Sequence, residues 1–169
     1  MLVKFKMVNI VFVCHGNICR SPMAEYVMRD LVEKKGLSCC FNIISRATSY
    51  EEHGNSVHYG TVKKLSEHGI SCFGKRAEVL TGKELKEYDY IFYMDRLNLR
   101  NIERIARNEC VSSFDEVMCK VSSLKAYTGS SGDVADPWYT GNFDETWDDI
   151  YLACTTLVEM LAKDCYAKI

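Results

Sequence analysis

The segment Cys14-His15-Gly16-Asn17-Ile18-Cys19-Arg20-Ser21 lies between the apolar run Val8-Asn9-Ile10-Val11-Phe12-Val13 and Ser21-Pro22-Met23-Ala24-Glu25. The run before it is β-branched and aromatic, as in a strand buried on both faces. The stretch after it reads as a helix start: Ser21 can cap, Pro22 is tolerated in a first turn, and Glu25 is an acid near the positive end. Five residues between Cys14 and Arg20 let the backbone curl until its N–H groups converge on one anion. The helix N-terminus adds positive partial charge. Gly16 permits close backbone approach or positive φ, and Asn17 tolerates left-handed conformations. Arg20 can grip two phosphate oxygens in a fork that lysine cannot reproduce. The same field is expected to lower the pKa of Cys14 and hold a trapped phosphoryl group before it. Ser21 is placed to hydrogen-bond the sulfur.

The remaining pattern alternates. Met23, Val27 and Leu31 keep helical spacing until Gly36. A strand is expected at Phe41 to Ser45, a helix from Ser56 to His68, and a buried strand at Tyr90 to Met94. A helix follows from Leu97 to Arg107, then a short strand near Val111 to Phe114. Thr128 to Asp136 reads as a loop, and Glu145 to Lys163 as a closing amphipathic helix. Strands alternating with helices predict an α/β fold, a parallel sheet covered on both faces. Ligands bind such sheets at the carboxyl ends of strands, where Cys14 falls. The 169 residues, 47% hydrophobic and 26% charged, suit one globular domain, with residues 1–7 a flexible extension.

Other classes fit poorly. A net charge of −2 gives no bulk drive toward nucleic acid or an acidic membrane. The run Ile10 to Val13 is too short to span a bilayer. Lys4 and Lys6 loosely resemble the start of a signal peptide, but Asn9 interrupts the run and no cleavage site precedes Cys14. Nine cysteines, an odd number without an export signal, read as reduced thiols and a cytoplasmic location. Cys14 and Cys19 lack a second pair at zinc spacing, so no metal is expected. Gly74-Lys75-Arg76 is not a nucleotide-binding glycine loop. Arg96, Arg100, Arg104 and Arg107 form a basic stripe that reads as a solvated face. His53, His58 and His68 read as surface residues, Cys39-Cys40 lacks metal-ligand partners, and the remaining cysteines read as buried hydrophobes.

The loop lacks a proton donor for a leaving oxygen. Asp136, in Asp133-Val134-Ala135-Asp136-Pro137-Trp138-Tyr139, is the candidate, with Trp138 and Tyr139 placed to hold an aryl group and partly dry the site. An Asp-Pro turn with aromatics packed on the core explains the same residues equally well.

The stretch from Val11 to Glu25 resembles the N-terminal signature of the low-molecular-weight protein tyrosine phosphatases. Tyr93-Met94-Asp95 with Asn98-Leu99-Arg100 resembles their central segment, and Asp136-Pro137-Trp138-Tyr139 their acid loop. The resemblance implies a four-stranded parallel sheet and metal-independent, cofactor-free hydrolysis of phosphotyrosine and small aryl phosphates. It implies a phosphocysteine at Cys14, Arg20 as clamp, and Asp136 as acid and then base. Phosphate-binding positions are His15, Gly16, Asn17, Ile18, Cys19 and Ser21. Asn17, Ser21 and Ser45 match a supporting hydrogen-bond network, and Asp95 also supports the loop. Trp138 and Tyr139 match the aromatic wall, with Tyr50 or Glu51 at the opposite rim. The implied partners are tyrosine-phosphorylated proteins, with phosphate or other oxyanions as ligands, and the chain a monomer or at most a weak dimer. Gly74 stands where the family often has a histidine, so a looser network is expected. Glu51 replaces an aromatic, shifting preference away from acidic peptides. A Cys14–Cys19 disulfide under peroxide is the reading the resemblance favours for Cys19 over a simple buried thiol.

Two rival readings remain. A redox enzyme of the arsenate reductase type shares fold and loop but needs two further relay cysteines, for which Cys110 and Cys119 are the available pair. A phosphate-binding module without catalysis does not explain Cys14, Arg20 and Asp136 together.

Overall fold

The computed structural model describes residues 7–165. Of the expected N-terminal extension, residues 1–6 lie outside them, and Met7 stands exposed ahead of the first strand. The elements run β1 (Val8–Cys14), α1 (Arg20–Lys34), β2 (Phe41–Ala47), α2 (Tyr59–Glu67), α3 (Gly82–Glu87), β3 (Tyr90–Tyr93), α4 (Arg96–Glu109), α5 (Phe114–Met118), β4 (Val121–Ser123), α6 (Pro137–Thr140) and α7 (Phe143–Cys165).

The four strands form one sheet in the order β2-β1-β3-β4, parallel throughout. Alternation along β1 builds both layers. Ile10 and Phe12 join the core under α1 and α7. Val11 and Val13 pack on the other face with Leu85, Ile91, Ile102 and Val117 of α3, β3, α4 and α5. A strand with apolar residues on both faces must lie in the middle, and β1 pairs on both edges, with β2 and with β3. The chain leaves β1 toward β2 and later returns to β3 on its other side. That reversal opens a crevice beyond the strand ends, and Cys14 closes β1 there.

Several boundaries differ from expectation. Val111 to Phe114 is not a strand: Val111–Ser113 is a 3-10 turn leading into α5. Helix is favoured there by Asp115 and Glu116 in the first turn of α5 and by Val117, which is fully buried. The fourth strand is Val121–Ser123, short and half-buried throughout. α2 begins at Tyr59 rather than Ser56. Ser56 bridges to Arg76 and His58 N–H donates to Ile18 O at 2.9 Å, so this stretch is occupied in holding the loop. His58 is not a plain surface residue. Its Nδ1 caps α2 by accepting from Gly60 N–H, and its ring stacks on Phe143 at 5.4 Å. Cys119 is exposed rather than buried, and Cys39 is exposed as well.

Gly60 is required by that packing. A Cβ there would overlap the Phe143 ring. Gly60→Ala is expected to cost about 1–3 kcal/mol, read as a lower midpoint in urea unfolding. An unchanged midpoint would show that Phe143 yields freely.

Candidate active site

The loop from Cys14 to Cys19 is pinned from outside through its carbonyls. Thr48 N–H donates to Cys14 O at 3.0 Å, Ser49 N–H to His15 O at 3.1 Å, and His58 N–H to Ile18 O at 2.9 Å. Cys19 O accepts from Met23 N–H at 3.2 Å and from the Thr61 hydroxyl at 3.3 Å. Carbonyls drawn outward turn peptide N–H groups inward, and that of Asn17 reaches Cys14 Sγ at 3.3 Å. The Ser21 hydroxyl stands 3.0 Å from the same sulfur. Ser21 does not cap α1. Cys19 occupies the cap position without a side-chain bond, and Ser21 serves the loop instead.

Asn17 carries the positive φ, 57°, that the loop needs, whereas Gly16 does not. Gly16 answers to close approach: a Cβ there would come 3.2 Å from Glu52 Cγ. The Asn17 side chain is fully buried and fully used. Its Nδ2 donates to Ser21 Oγ and Ser45 Oγ, each at 2.8 Å, and its Oδ1 accepts from Glu78 N–H at 3.1 Å.

The network continues where the sequence showed no signal. The Ser45 hydroxyl donates to Glu25 Oε2 at 2.5 Å. Glu25 is not an exposed helix-start acid but is 2% exposed. It is neutralised by Arg29 at 2.6 Å and Lys75 at 3.5 Å. Lys75 also donates to Ser45 O at 3.2 Å. Buried charge is tolerated only when paired in this way. Gly74 turns the chain at φ 83°, and its neighbour Lys75 closes the network.

Arg20 is 2% exposed and joins three loops. One Nη1 donates to Asp95 Oδ2 at 2.7 Å and to Val134 O at 3.2 Å, and Nη2 donates to Asp136 Oδ2 at 2.9 Å. Burial opposes its charge, but Cys14, Asp136 and Asp95 outweigh burial and raise its pKa. Asp95 also caps α4, its Oδ1 accepting from Asn98 N–H at 2.8 Å. Asp136 caps α6, its Oδ1 accepting from Trp138 N–H at 3.1 Å. Cys19 is 5% exposed. Burial first, then the negative charges of Cys14 and Asp136, push its thiol up to about 12.

A cavity of about 230 Å³ opens over Cys14 between these groups. Of the expected residues, His15, Gly16, Ile18, Cys19, Arg20, Asp95, Asp136, Trp138, Tyr139 and Glu51 line it with Cys14. Trp138 and Tyr139 are both exposed, so they form a wall and not core packing. Glu51 accepts from His15 Nε2 at 3.0 Å. Glu52 and Leu97 join the lining unanticipated. Asn17, Ser21 and Ser45 lie beneath it. Tyr50 is not brought in: its ring is 77% exposed and stands against His53. A larger groove, about 590 Å³, passes Val62, Ile70 and Phe73 without reaching Cys14, Arg20 or Asp136.

The relay cysteines of the arsenate reductase reading are not assembled here. Cys110 is buried and donates to Gly82 O, while Cys119 lies with Val8 at the far end of β1 from Cys14. Arg96, Arg100, Arg104 and Arg107 are exposed along α4. No described helix is long and apolar enough to cross a membrane.

The family model described as low molecular weight phosphotyrosine protein phosphatase matches residues 9–167. The low molecular weight protein-tyrosine-phosphatase YfkJ of Bacillus subtilis is 36% identical over 158 residues, covering 94% of this chain and 98% of that one. PtpA of Staphylococcus aureus, of the same description, is 35% identical, covering 96% and 99%. The crystal structure of YfkJ superposes with a TM-score of 0.84 at 37% identity, covering 94% and 97%. The YwlE arginine phosphatase, in a mutant with a phosphorylated active site serine, matches with a TM-score of 0.75 at 30% identity, covering 93% and 97%.

Asn17→Ala removes three hydrogen bonds and places a Cβ-branched-free but left-handed-averse residue at positive φ. It is expected to lose about 2–4 kcal/mol in urea unfolding. Asn17→Gly keeps the conformation without the bonds and should recover about 1 kcal/mol of that loss. Equal midpoints for the two variants would mean that φ at this position carries no strain.

Proposed function

The chain belongs to the low molecular weight phosphotyrosine protein phosphatase family, and on that premise we propose that it hydrolyses phosphotyrosine in proteins, and small aryl phosphates, through a phosphocysteine on Cys14 without a metal. The observation that carries this reading is the convergence of Cys14, Arg20 and Asp136 on one cavity walled by Trp138 and Tyr139.

The loop amides and the Arg20 fork hold the phosphoryl group in line with the sulfur. Cys14 Sγ attacks phosphorus, the S–P bond forms as the P–O bond breaks, and Asp136 gives its proton to the leaving phenol oxygen. Water then attacks phosphorus from the vacated side, Asp136 takes its proton, and the S–P bond breaks. The departing sulfur is received by the Asn17 N–H and the Ser21 hydroxyl. Asp95 keeps Arg20 aimed by holding the donor that the phosphate does not need. The Ser45–Glu25–Lys75 chain fixes Asn17 from below. Aryl rings are favoured because the wall beside the acid is aromatic. Glu51 and Glu52 at the mouth disfavour acidic peptides. The reduced thiols suit a cytoplasmic setting.

Aryl phosphate turnover near pH 5 to 7 with chelator present tests the scheme. Cys14→Ser should abolish it, Asp136→Ala should lower kcat by about 10²–10⁴, and Arg20→Lys by about 10² or more. Ser21→Ala should slow breakdown more than formation, so that a phosphoenzyme accumulates in rapid quench. Undiminished turnover in Cys14→Ser, or loss to chelator, overturns the mechanism. Faster turnover of phosphoarginine than of phosphotyrosine would replace the substrate.

Cys19 supplies a resolving thiol beside the nucleophile. Peroxide converts Cys14 to a sulfenic acid, and Cys19 displaces water from it to form a disulfide that thiols reopen. Dithiothreitol should restore most activity to peroxide-treated wild type but little to Cys19→Ser. Equal recovery rules out this protection.

A further inference from the structure

Three thiols that the phosphatase chemistry does not use meet at the opposite end of the sheet. Cys40 immediately precedes β2, whose first residue Phe41 pairs with Val8, whereas Cys14 pairs with Ala47 at the other end. Cys39 Sγ and Cys40 Sγ lie 3.7 Å apart in the turn Ser38–Cys40. The Cys40 thiol also neighbours that of Cys165, the last residue of α7, whose own S–H donates to Leu161 O at 3.8 Å. Their exposures differ sharply. Cys39 is exposed, while Cys40 and Cys165 are 1% and 0% exposed in one core cluster.

We propose that this cluster is a second oxidation site, in which exposed Cys39 admits oxidising equivalents from a hydroperoxide and passes them inward to form a Cys40–Cys165 disulfide. A buried thiol pair has no access to peroxide, but its neighbour on the surface has. Burial and the two neighbouring thiols push Cys40 up to about 12, so it resists direct oxidation and acts as the second thiol. The hydroperoxide O–O bond breaks on attack by Cys39, leaving Cys39 sulfenic acid and an alcohol, or water from hydrogen peroxide. The Cys40 sulfur then attacks the Cys39 sulfur. The S–O bond breaks, and the hydroxyl leaves with the Cys40 proton as water. Adjacent Cα atoms stand about 3.8 Å apart, closer than the roughly 4.4–6.8 Å of a relaxed disulfide, so the Cys39–Cys40 bond is strained. Cys165 displaces Cys39 from Cys40, its proton passes to the released Cys39 sulfur, and the strain is relieved. Two thiols are oxidised and one peroxide is reduced by two electrons. The product ties the end of α7 to the turn before β2 and so closes residues 40–165 into one loop.

The test uses the full chain carrying Cys14→Ser, which removes the active-site disulfide from the readout. Hydrogen peroxide treatment, alkylation and non-reducing peptide mapping should yield a peptide linked through Cys40 and Cys165. Thermal unfolding should shift upward by about 5–15 °C and return with dithiothreitol. Adding Cys39→Ser, a change at an exposed position, should slow formation of the link at least about tenfold while Cys40 and Cys165 remain. Adding Cys165→Ser should stop the oxidation at a Cys39–Cys40 disulfide, leaving both thiols closed to alkylation until dithiothreitol is added, and abolish the thermal shift. Free Cys40 and Cys165 after oxidation, linkage through Cys39 and Cys165, or an unchanged rate in Cys39→Ser each overturns the proposal.

Discussion

The buried guanidinium of Arg20 is the contact on which the site depends. It comes from the first turn of α1, yet its partners arrive from the end of β3 and from the loop before α6. A cation withdrawn from water is costly unless carboxylates meet it. Here two do, and each is simultaneously the cap of a helix. The charge therefore specifies the positions of segments that share no covalent neighbourhood. It draws the Asp136 loop over Cys14 and orients α4 beside it.

The sheet makes that meeting possible. β1 and β3 run side by side and parallel, so the loops leaving them emerge together. The loop after β1 brings a sulfur and a helix start, and the loop after β3 brings Asp95. Around this crevice the apolar layers are conventional, with β1 feeding both. Rigidity at the loop comes from below, through a chain of polar side chains that are each satisfied: Asn17, Ser45, Glu25 and Lys75. A fully satisfied buried network holds geometry better than apolar packing does, because every displacement strands a donor or an acceptor.

Much of this was legible in order of residues. The run before Cys14 and the spacing to Arg20 announced a strand, an anion loop and a helix. Asp136 with its aromatic neighbours was readable as an acid only beside a known pattern, since an Asp-Pro turn has the same letters. Glu25 and Lys75 were not legible, because pairing between residues so distant in sequence leaves no periodic trace. Glu25 looked like an ordinary acid at a helix start, and Lys75 appeared only within a Gly-Lys-Arg segment that fits no nucleotide loop. The edge strand Val121–Ser123 was missed for a different reason. It is short and half-buried, so alternation has no room to show, while Val111 to Phe114, read as a strand, turns into α5 under local acids and the burial of Val117. Of the two residues the resemblance offered for the opposite rim, Tyr50 and Glu51, the turn after β2 brings Glu51 to the cleft, with Glu52 beside it.

Asp136 commits one oxygen to Arg20 and the other to the Trp138 N–H at the start of α6. The group that would move the proton in the proposed scheme thus also caps the turn carrying Trp138 and Tyr139. A proton arriving on Asp136 occupies an acceptor site and weakens one of these two bonds. In the proposed scheme, proton transfer and wall position are therefore linked through one carboxyl, which holds the aromatic turn by the same group that exchanges the proton.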